Sequence, residues 1–189
     1  RTLDSFGIQK VDVIMERIQY KKGWRRNTMV SAMGAQKWLS LQQHGNTPEA
    51  VEKLKKQGYR IIATDLSPSS KPMDEIDWTS SPVAIVMGNE VNGISDEMRG
   101  YADETFYIPT KGFAESFNLS VAAAVLCTLL DTKDILKPGL EDRERKCIML
   151  TWLARTVPGS LPILRRNGFD EKVQGNSLYP PIGTFTTKP

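Results

Sequence analysis

Two hydrophobic periods alternate along the chain, one of two residues and one of three to four, and together they predict strands interleaved with helices. Short apolar or alternating runs rich in Val, Ile, Tyr and Phe are typical of strands. They predict strands at residues 8–14, 38–41, 59–64, 83–87 and 104–108. The run at 83–87 is continuously apolar, the pattern of a strand buried on both faces of a sheet.

Helical periodicity occupies several of the intervals between these strands. Thr47 followed by Pro48 indicates an N-cap and a first helical position, and Gly58 indicates the end of that helix. Further helices are predicted at residues 2–6 (the end of a helix), 28–34 (short), 118–131, 141–156 and 161–167. Because strands alternate with helices, the predicted fold class is α/β with a mainly parallel sheet.

Composition narrows the class of protein. The 189 residues are 40% hydrophobic, which is enough for one domain with a real core, and no apolar run is long enough for a transmembrane helix. The net charge of +3 permits a nucleic-acid partner without requiring one. Two cysteines and a single histidine make a disulfide framework, a zinc site and a Ser-His-Asp triad unexpected. Free thiols in a reducing compartment, the cytoplasm or an organelle interior, are therefore predicted.

Two loops that follow predicted strands carry the candidate chemistry. Residues 88–93 (GNEVNG) come after the strand at 83–87, at the strand end where α/β sheets bind ligands. Glycines there allow close approach of a ligand, but a tight turn with Glu90 and Asn92 in solvent explains the segment equally well. The glycine spacing matches neither a dinucleotide-binding fingerprint nor a phosphate-binding P-loop.

The second loop, residues 108–120 (IPTKGFAESFNLS), connects the strand at 104–108 to an apolar helix. Ser116, Asn118 and Ser120 are small polar residues at the point where that helix begins. Local chemistry alone favours Ser116 or Asn118 as a helix N-cap over any catalytic role.

Longer segments resemble a known family. VAIVMGNEVNGIS and FYIPTKGFAESFNLSVAAAVLCTLL resemble the second and third motifs of the SpoU family of RNA ribose methyltransferases, at the family's spacing. RNTMVSAMGAQKW and YRIIATDLS resemble the middle of its TrmH-type tRNA methyltransferases, and Arg1 and Thr2 resemble the end of its first motif. With the helical residues 141–169, the resemblance extends to about residue 170.

The resemblance implies an architecture that no periodicity could reveal. It implies a deep trefoil knot in the C-terminal part of the α/β domain and a homodimer packed through the knot. We expect a methyltransferase domain at residues 1–137, a helical extension at 138–170 and an irregular tail at 171–189. We also expect the N-terminal edge of the domain to be truncated, because the family's first motif has an asparagine and a strand before the arginine.

The resemblance also implies a function: transfer of a methyl group from S-adenosylmethionine to a ribose 2′-OH of RNA, with a tRNA guanosine as the expected acceptor. The alternatives are a ribosomal RNA methyltransferase of the same superfamily and a catalytically silent RNA-binding protein. No metal and no membrane are expected. The residues implied to line the cofactor pocket are Thr64, Leu66, Met87, Gly88, Ile108, Phe117 and Leu119. Phe117 stands where the family usually has leucine.

The implied catalytic residues are Arg1, Glu90, Ser116 and Asn118. Arginine is effectively always protonated, so we expect Arg1 to stabilise the developing alkoxide and a neighbouring phosphate rather than to act as a base. Asn118 would fix the loop and the hydroxyl, Ser116 would contact RNA or hold Arg1, and Glu90 would orient Asn118 or Arg1. The expected RNA-binding residues, which combine phosphate-neutralising cations with a stacking aromatic ring, are Lys21, Lys22, Trp24, Arg25 and Arg26.

Overall fold

The structure, a computed structural model, describes residues 1–14, 34–137, 139–170 and 184–185. Within those ranges, none of the helices combines the length and the apolar character that a membrane crossing requires. The elements in chain order are α1 (Thr2–Ser5), β1 (Lys10–Ile14), a 3-10 helix (Ala35–Trp38), β2 (Ser40–His44), α2 (Thr47–Lys56), β3 (Arg60–Thr64), β4 (Lys71–Pro72), β5 (Val83–Val86), α3 (Asp96–Tyr101), β6 (Glu104–Tyr107), α4 (Leu119–Thr132), α5 (Asp142–Thr156), α6 (Ser160–Arg166), β7 (Phe169–Asp170) and β8 (Thr184–Phe185).

These elements fall into two compact units. The first unit holds residue 1 and residues 7–44 and 138–189, and the second holds residues 2–6 and 45–137. The predicted short helix at 28–34 lies almost wholly outside the described residues. The predicted strand at 38–41 is displaced, because Trp38 ends the 3-10 helix and β2 begins only at Ser40.

The second unit is built on a parallel four-stranded sheet in the order β4-β6-β3-β5. Ile62 and Phe106 belong to β3 and β6, and with Trp78, Ile76, Leu126 and Leu130 they form the buried core. The Trp78 and Phe106 rings meet edge to face, with centroids 5.2 Å apart, and the Trp78 Nε1–H donates to the Met73 carbonyl. The predicted α/β class with parallel sheets is confirmed.

The strand buried on both faces is β3, and not the apolar run at 83–87. Ile61, Ile62 and Ala63, whose side chains alternate between the two faces, are fully buried, and β3 lies between β5 and β6 in the sheet. The residues of β5 are only half-buried, and β5 is the last strand in the sheet order. Apolar composition therefore identified the strand correctly but misjudged its place in the sheet.

The first unit contains a smaller parallel pair, β1 with β2, from Lys10 beside Ser40 to Ile14 beside His44. The buried His44 Nε2 lies 2.5 Å from Asp12 Oδ1 across this pair. Helix α5 contributes Trp152, whose ring meets Trp38 edge to face. Helix α6 follows α5, and β7 and β8 form an antiparallel pair.

The N-cap of α2 is Asn46, one residue before the predicted Thr47. The backbone of Asn46 is extended, and its side-chain oxygen accepts a hydrogen bond of 2.9 Å from the Glu49 N–H. The Glu49 carboxylate in turn accepts from the Gly45 N–H at 3.1 Å. Thr47 is instead a buried residue of the first turn.

We predict that Asn46→Ala lowers the free energy of unfolding by about 1 kcal/mol, because the Glu49 N–H loses its acceptor. Urea unfolding monitored by circular dichroism measures the change. Asn46→Asp keeps an acceptor in place and should retain nearly all of the stability. Equal losses in the two variants would contradict the assignment of the cap.

Candidate functional site

The candidate site lies where β3, β5 and β6 end. In the parallel register, Ala63 pairs with Val86, and Thr64 pairs with Phe106. The loops that follow these strands therefore leave the sheet at the same end, where the carboxyl ends of the strands meet. Ligands of open α/β sheets bind at this end of the sheet.

A hydrogen bond ties the first two strand ends together. The Gly88 N–H donates to the Thr64 hydroxyl oxygen at 3.1 Å, and Gly88 lies two residues beyond the end of β5. A Cβ at position 88 would lie 2.4 Å from the Gly93 carbonyl carbon and 2.7 Å from the Ile94 nitrogen. The loop can close on itself only because this residue is glycine.

The loop at 88–93 is closed by its own backbone. The Asn89 N–H donates to the Gly93 carbonyl, and the Gly93 N–H donates to the Asn89 carbonyl, both at 2.8 Å. The Asn89 side chain accepts from the Val91 N–H at 2.8 Å, and Gly93 has a φ of 66°. This closure presents Glu90 to solvent at the tip of a fixed turn.

Asn118 joins this loop to the second one. Its side-chain Nδ2 donates to Glu90 Oε1 at 2.8 Å. Its Oδ1 accepts from the Ser120 N–H at 3.0 Å and from the Ser120 hydroxyl at 2.6 Å, so Asn118 is also the N-cap of α4. The same amide therefore starts the helix and holds the neighbouring loop.

A third contact fixes the loop after β3. Asp65 accepts two hydrogen bonds from Arg99 of α3, from Nε at 2.9 Å and from Nη2 at 3.1 Å. The Asp65 N–H donates to the Phe106 carbonyl at 2.9 Å, which connects the end of β3 to β6. Hydrogen bonds from Arg99, which outweigh the opposing effect of burial, hold the pKa of Asp65 below its usual value.

The other residues implied by the resemblance divide by position and exposure. Met87 and Ile108 directly follow β5 and β6 and are half-buried. The side chains of Leu66, Phe117 and Leu119 are exposed. Ser116 is exposed in the loop before α4, and Arg1 is exposed directly before α1.

The expected RNA-binding residues, Lys21, Lys22, Trp24, Arg25 and Arg26, lie outside the described residues. In the part of the chain that the structure describes, no three His, Cys, Asp or Glu side chains are grouped so that they could hold a metal ion.

Sequence reasoning missed three residues that shape the site: Asp65, Asn89 and Arg99. Asn89 lies inside the loop at 88–93 singled out from the sequence, where an Asx residue after glycine is a recognisable turn signal. Asp65 lies in the segment YRIIATDLS, which carries part of the family resemblance, but the resemblance assigns no role to Asp65. Arg99 belongs to α3, whose six residues are too few for helical periodicity to reveal.

A parallel sheet whose strand ends carry mutually bonded polar loops defines a ligand-binding α/β domain. The chain belongs to the SpoU rRNA Methylase family, whose model matches residues 1–128. That match contains all three loops of the site.

The relatives that it resembles act on RNA. The chain is 38% identical over 127 residues to the tRNA (guanosine(18)-2′-O)-methyltransferase of Escherichia coli strain K12, covering 67% of this chain and 52% of that protein. The chain thus spans about half the length of this relative. Among solved structures, the A. aeolicus TrmH/SpoU tRNA modifying enzyme is 27% identical with a TM-score of 0.66, over 82% of this chain and 79% of that one. An AdoMet-bound rRNA methyltransferase from Sinorhizobium meliloti is 26% identical with a TM-score of 0.62, over 73% of this chain and 50% of that one.

We predict that Gly88→Ala costs about 1–3 kcal/mol of stability, because the added methyl group would overlap the backbone of Gly93 and Ile94. The matched control is Gly100→Ala in α3, where a Cβ meets nothing within 4 Å. Thermal unfolding of both variants measures the difference. A Gly88→Ala protein as stable as the Gly100→Ala protein would show that the loop does not have this closed geometry.

The Asp65–Arg99 pair predicts an acid-dependent loss of stability. Because the pKa of Asp65 is lowered on folding, its contribution is complete above the carboxyl's ordinary pKa of about 4 and is lost as the pH falls through the lowered value. As the pH falls below about 4, the free energy of unfolding of Asp65→Asn should therefore decrease less than that of the unmodified chain. An equal decrease in the two proteins would refute this assignment.

Proposed function

We propose that this chain transfers a methyl group from S-adenosylmethionine to a ribose 2′-OH of RNA, with a tRNA guanosine as acceptor. The observation that carries the proposal is the hydrogen bond from Asn118 to Glu90, which joins the two loops singled out by their motifs into one site. The similarity to the E. coli tRNA methyltransferase supports the choice of acceptor. Similarity to the S. meliloti rRNA methyltransferase makes ribosomal RNA the second candidate acceptor.

The proposed cofactor site fits the chemistry of a nucleoside. Thr64, Met87, Gly88 and Ile108 lie at or just after the ends of three adjacent strands. Apolar side chains beside the backbone of these loops suit a purine ring, which needs a slot and a few orienting hydrogen bonds. Leu66, Phe117 and Leu119 are exposed apolar residues of the same loops, and we assign them to the rest of the pocket. The S. meliloti relative, which binds AdoMet, supports the assignment.

When bound, S-adenosylmethionine supplies an electrophilic methyl group, and the chain must orient and polarise the acceptor hydroxyl. We assign that orientation to Asn118, whose amide is already fixed by Glu90 and by the start of α4. The 2′-hydroxyl would give up its proton to water as the methyl group is transferred, and negative charge would develop on its oxygen. A cation beside the oxygen would stabilise this charge, and we assign that role to Arg1. Helix α1, which directly follows Arg1, packs against α4.

RNA binding is assigned to Ser116, in the loop before α4, and to Lys21, Lys22, Trp24, Arg25 and Arg26. Ser116 is exposed and two residues from Asn118, within the same loop. Cations that neutralise phosphates make affinity fall with salt concentration, so this assignment predicts weaker RNA binding as salt rises.

We also propose the finer architecture that the family resemblance implies: the trefoil knot, the homodimer, and a division at residues 137 and 170. The three strands that end at the site are parallel, so the chain crosses over between them, as a knotted path requires. At the start of α4, the side chains of Phe117, Leu119 and Val121 are exposed, and burial against a second copy would remove them from water. Sedimentation of the chain tests the dimer.

We predict that Asn118→Ala reduces methyl transfer by at least about a hundredfold, because both the orienting amide and its bond to Glu90 are lost. Loss of the N-cap should lower stability by only about 1 kcal/mol. Asn118→Asp separates the capping role from the contact with Glu90. The aspartate keeps the acceptor for the Ser120 N–H, but its carboxylate cannot donate to Glu90 and repels it. Transfer of a labelled methyl group to tRNA, with a melting curve for each variant, provides the measurement.

The matched control is Asn46→Ala, which removes an N-cap at α2 and should leave methyl transfer intact. Full activity of Asn118→Ala would contradict the site assignment. Mapping of 2′-O-methyl positions on total RNA treated with the chain separates the two acceptors. RNA binding without any methyl transfer would instead favour a catalytically silent member of the family.

A further inference from the structure

We infer that Arg99 is a positioning residue, which acts through Asp65 to hold the loop after β3 in the geometry that the methyl donor needs. This inference rests on the proposed function, because it assigns that loop to the cofactor site. It extends the site to α3, an element that contributes none of the residues implied by the family motifs.

The loop after β3 has little packing of its own to hold it. Leu66 has 63% of its surface exposed, and Pro68 and Ser69 are exposed as well. Asp65 has only 11% of its side chain exposed, and at the far end of the loop the Ser70 hydroxyl donates to the Thr105 hydroxyl of β6 at 2.9 Å. The position of the first part of the loop, next to the end of β3, therefore depends on the contacts of Asp65.

Those contacts reach two different elements. The Asp65 backbone N–H is bonded to β6 through the Phe106 carbonyl at 2.9 Å. The Asp65 carboxylate accepts hydrogen bonds from both Nε and Nη2 of Arg99. This two-point contact restricts the orientation of the carboxylate as well as its distance from the guanidinium group. These contacts fix the backbone at Asp65, which stands between Thr64 and Leu66, two residues assigned to the cofactor pocket.

Helix α3 is a firm support despite its length. Met98 within it and Ile94 before it are buried, and the Ser95 side chain caps it by accepting from the Met98 N–H at 3.1 Å. Asp96, in the first turn of α3, also accepts a hydrogen bond from Arg99. The Asp96 side chain is 98% exposed, so Arg99 reaches the loop from a helix that is anchored by Met98 and Ile94 rather than by this pair.

The exposure of the Arg99 side chain allows a positioning role to be distinguished from a contribution to stability alone. Its side chain is 43% exposed, and ion pairs at such sites contribute little to global stability. Disrupting the pair should release the loop without unfolding the sheet beneath it. The effect should therefore appear mainly in ligand affinity, with only a small fall in the melting temperature of the free protein.

The test is a double-mutant cycle on the full chain with Asp65→Asn, Arg99→Gln and both together. Calorimetry with S-adenosylhomocysteine gives Kd, and a melting curve without ligand gives Tm. The matched control is Asp96→Asn, which removes the other carboxylate bonded to Arg99 but leaves the loop contact. Arg99→Lys keeps the charge and loses the two-point geometry, so it should recover only part of the affinity.

We expect each single change at Asp65 or Arg99 to weaken S-adenosylhomocysteine binding by about fivefold, and the double variant to bind no more weakly than the singles. Tm without ligand should change by no more than about 3 °C, and Asp96→Asn should bind normally. In methyl transfer, the KM for the methyl donor should rise while kcat changes little.

Two results would overturn the inference while the proposed function stands. One is normal affinity in Arg99→Gln and Arg99→Lys. The other is an additive double variant whose loss of affinity follows its loss of Tm, since that would make the pair a stability element only. If the unmodified chain fails to bind S-adenosylhomocysteine, the proposed function itself fails, and the inference fails with it.

Discussion

Parallel pairing of β3 with β5 and β6 is the constraint on which the rest of the second unit depends. Burial of Ile61, Ile62 and Ala63 fixes β3 in the middle of the three strands, and the parallel register then brings three strand ends to one edge. Loops that start at residues 65, 87 and 108, far apart in sequence, become neighbours there. The loops need little burial of their own, because the sheet sets where each one begins.

Polar contacts then convert three neighbouring loops into one arrangement. Thr64 holds the start of the second loop through Gly88, and Glu90 in that loop accepts from Asn118 in the third. Asp65 connects the first loop to β6 and to α3. These contacts are few, and their importance is geometric. They fix backbone and amide directions before a ligand arrives, which lowers the entropic cost of binding.

The sequence and the resemblance supported much of this site, including a contact of Glu90 with Asn118, but not the connection through Asp65 and Arg99. The two motif loops could be located because glycines, small polar residues and strand patterns are local signals, and the resemblance assigned them a ligand. The N-cap interpretation of Asn118 and its assignment to the site were weighed as alternatives, yet the structure shows the N-cap and the contact with Glu90 together. An amide has both a donor and an acceptor end, so the two interpretations never excluded one another.

What the sequence could not give are features set by tertiary contacts. Arg99 and Asp65 are 34 residues apart, and α3 is too short to show a helical period. The continuously apolar run at 83–87 contains the half-buried β5, and local composition does not reveal that β5 is the last strand of the sheet. The start of α2 differed by one residue for a local reason, since Asn46 and Thr47 are both good caps and only the backbone geometry distinguishes them.

The central claim is that the loops after β3, β5 and β6 form a single cofactor site closed by Glu90 and Asn118. A crystal structure of the chain with S-adenosylhomocysteine tests it most directly. The account predicts electron density for the ligand in contact with residues of all three loops, Thr64, Gly88 and Ile108 among them, with the bond between Asn118 and Glu90 intact. Ligand bound away from these strand ends, or a bound state in which Asn118 and Glu90 are apart, would contradict the account.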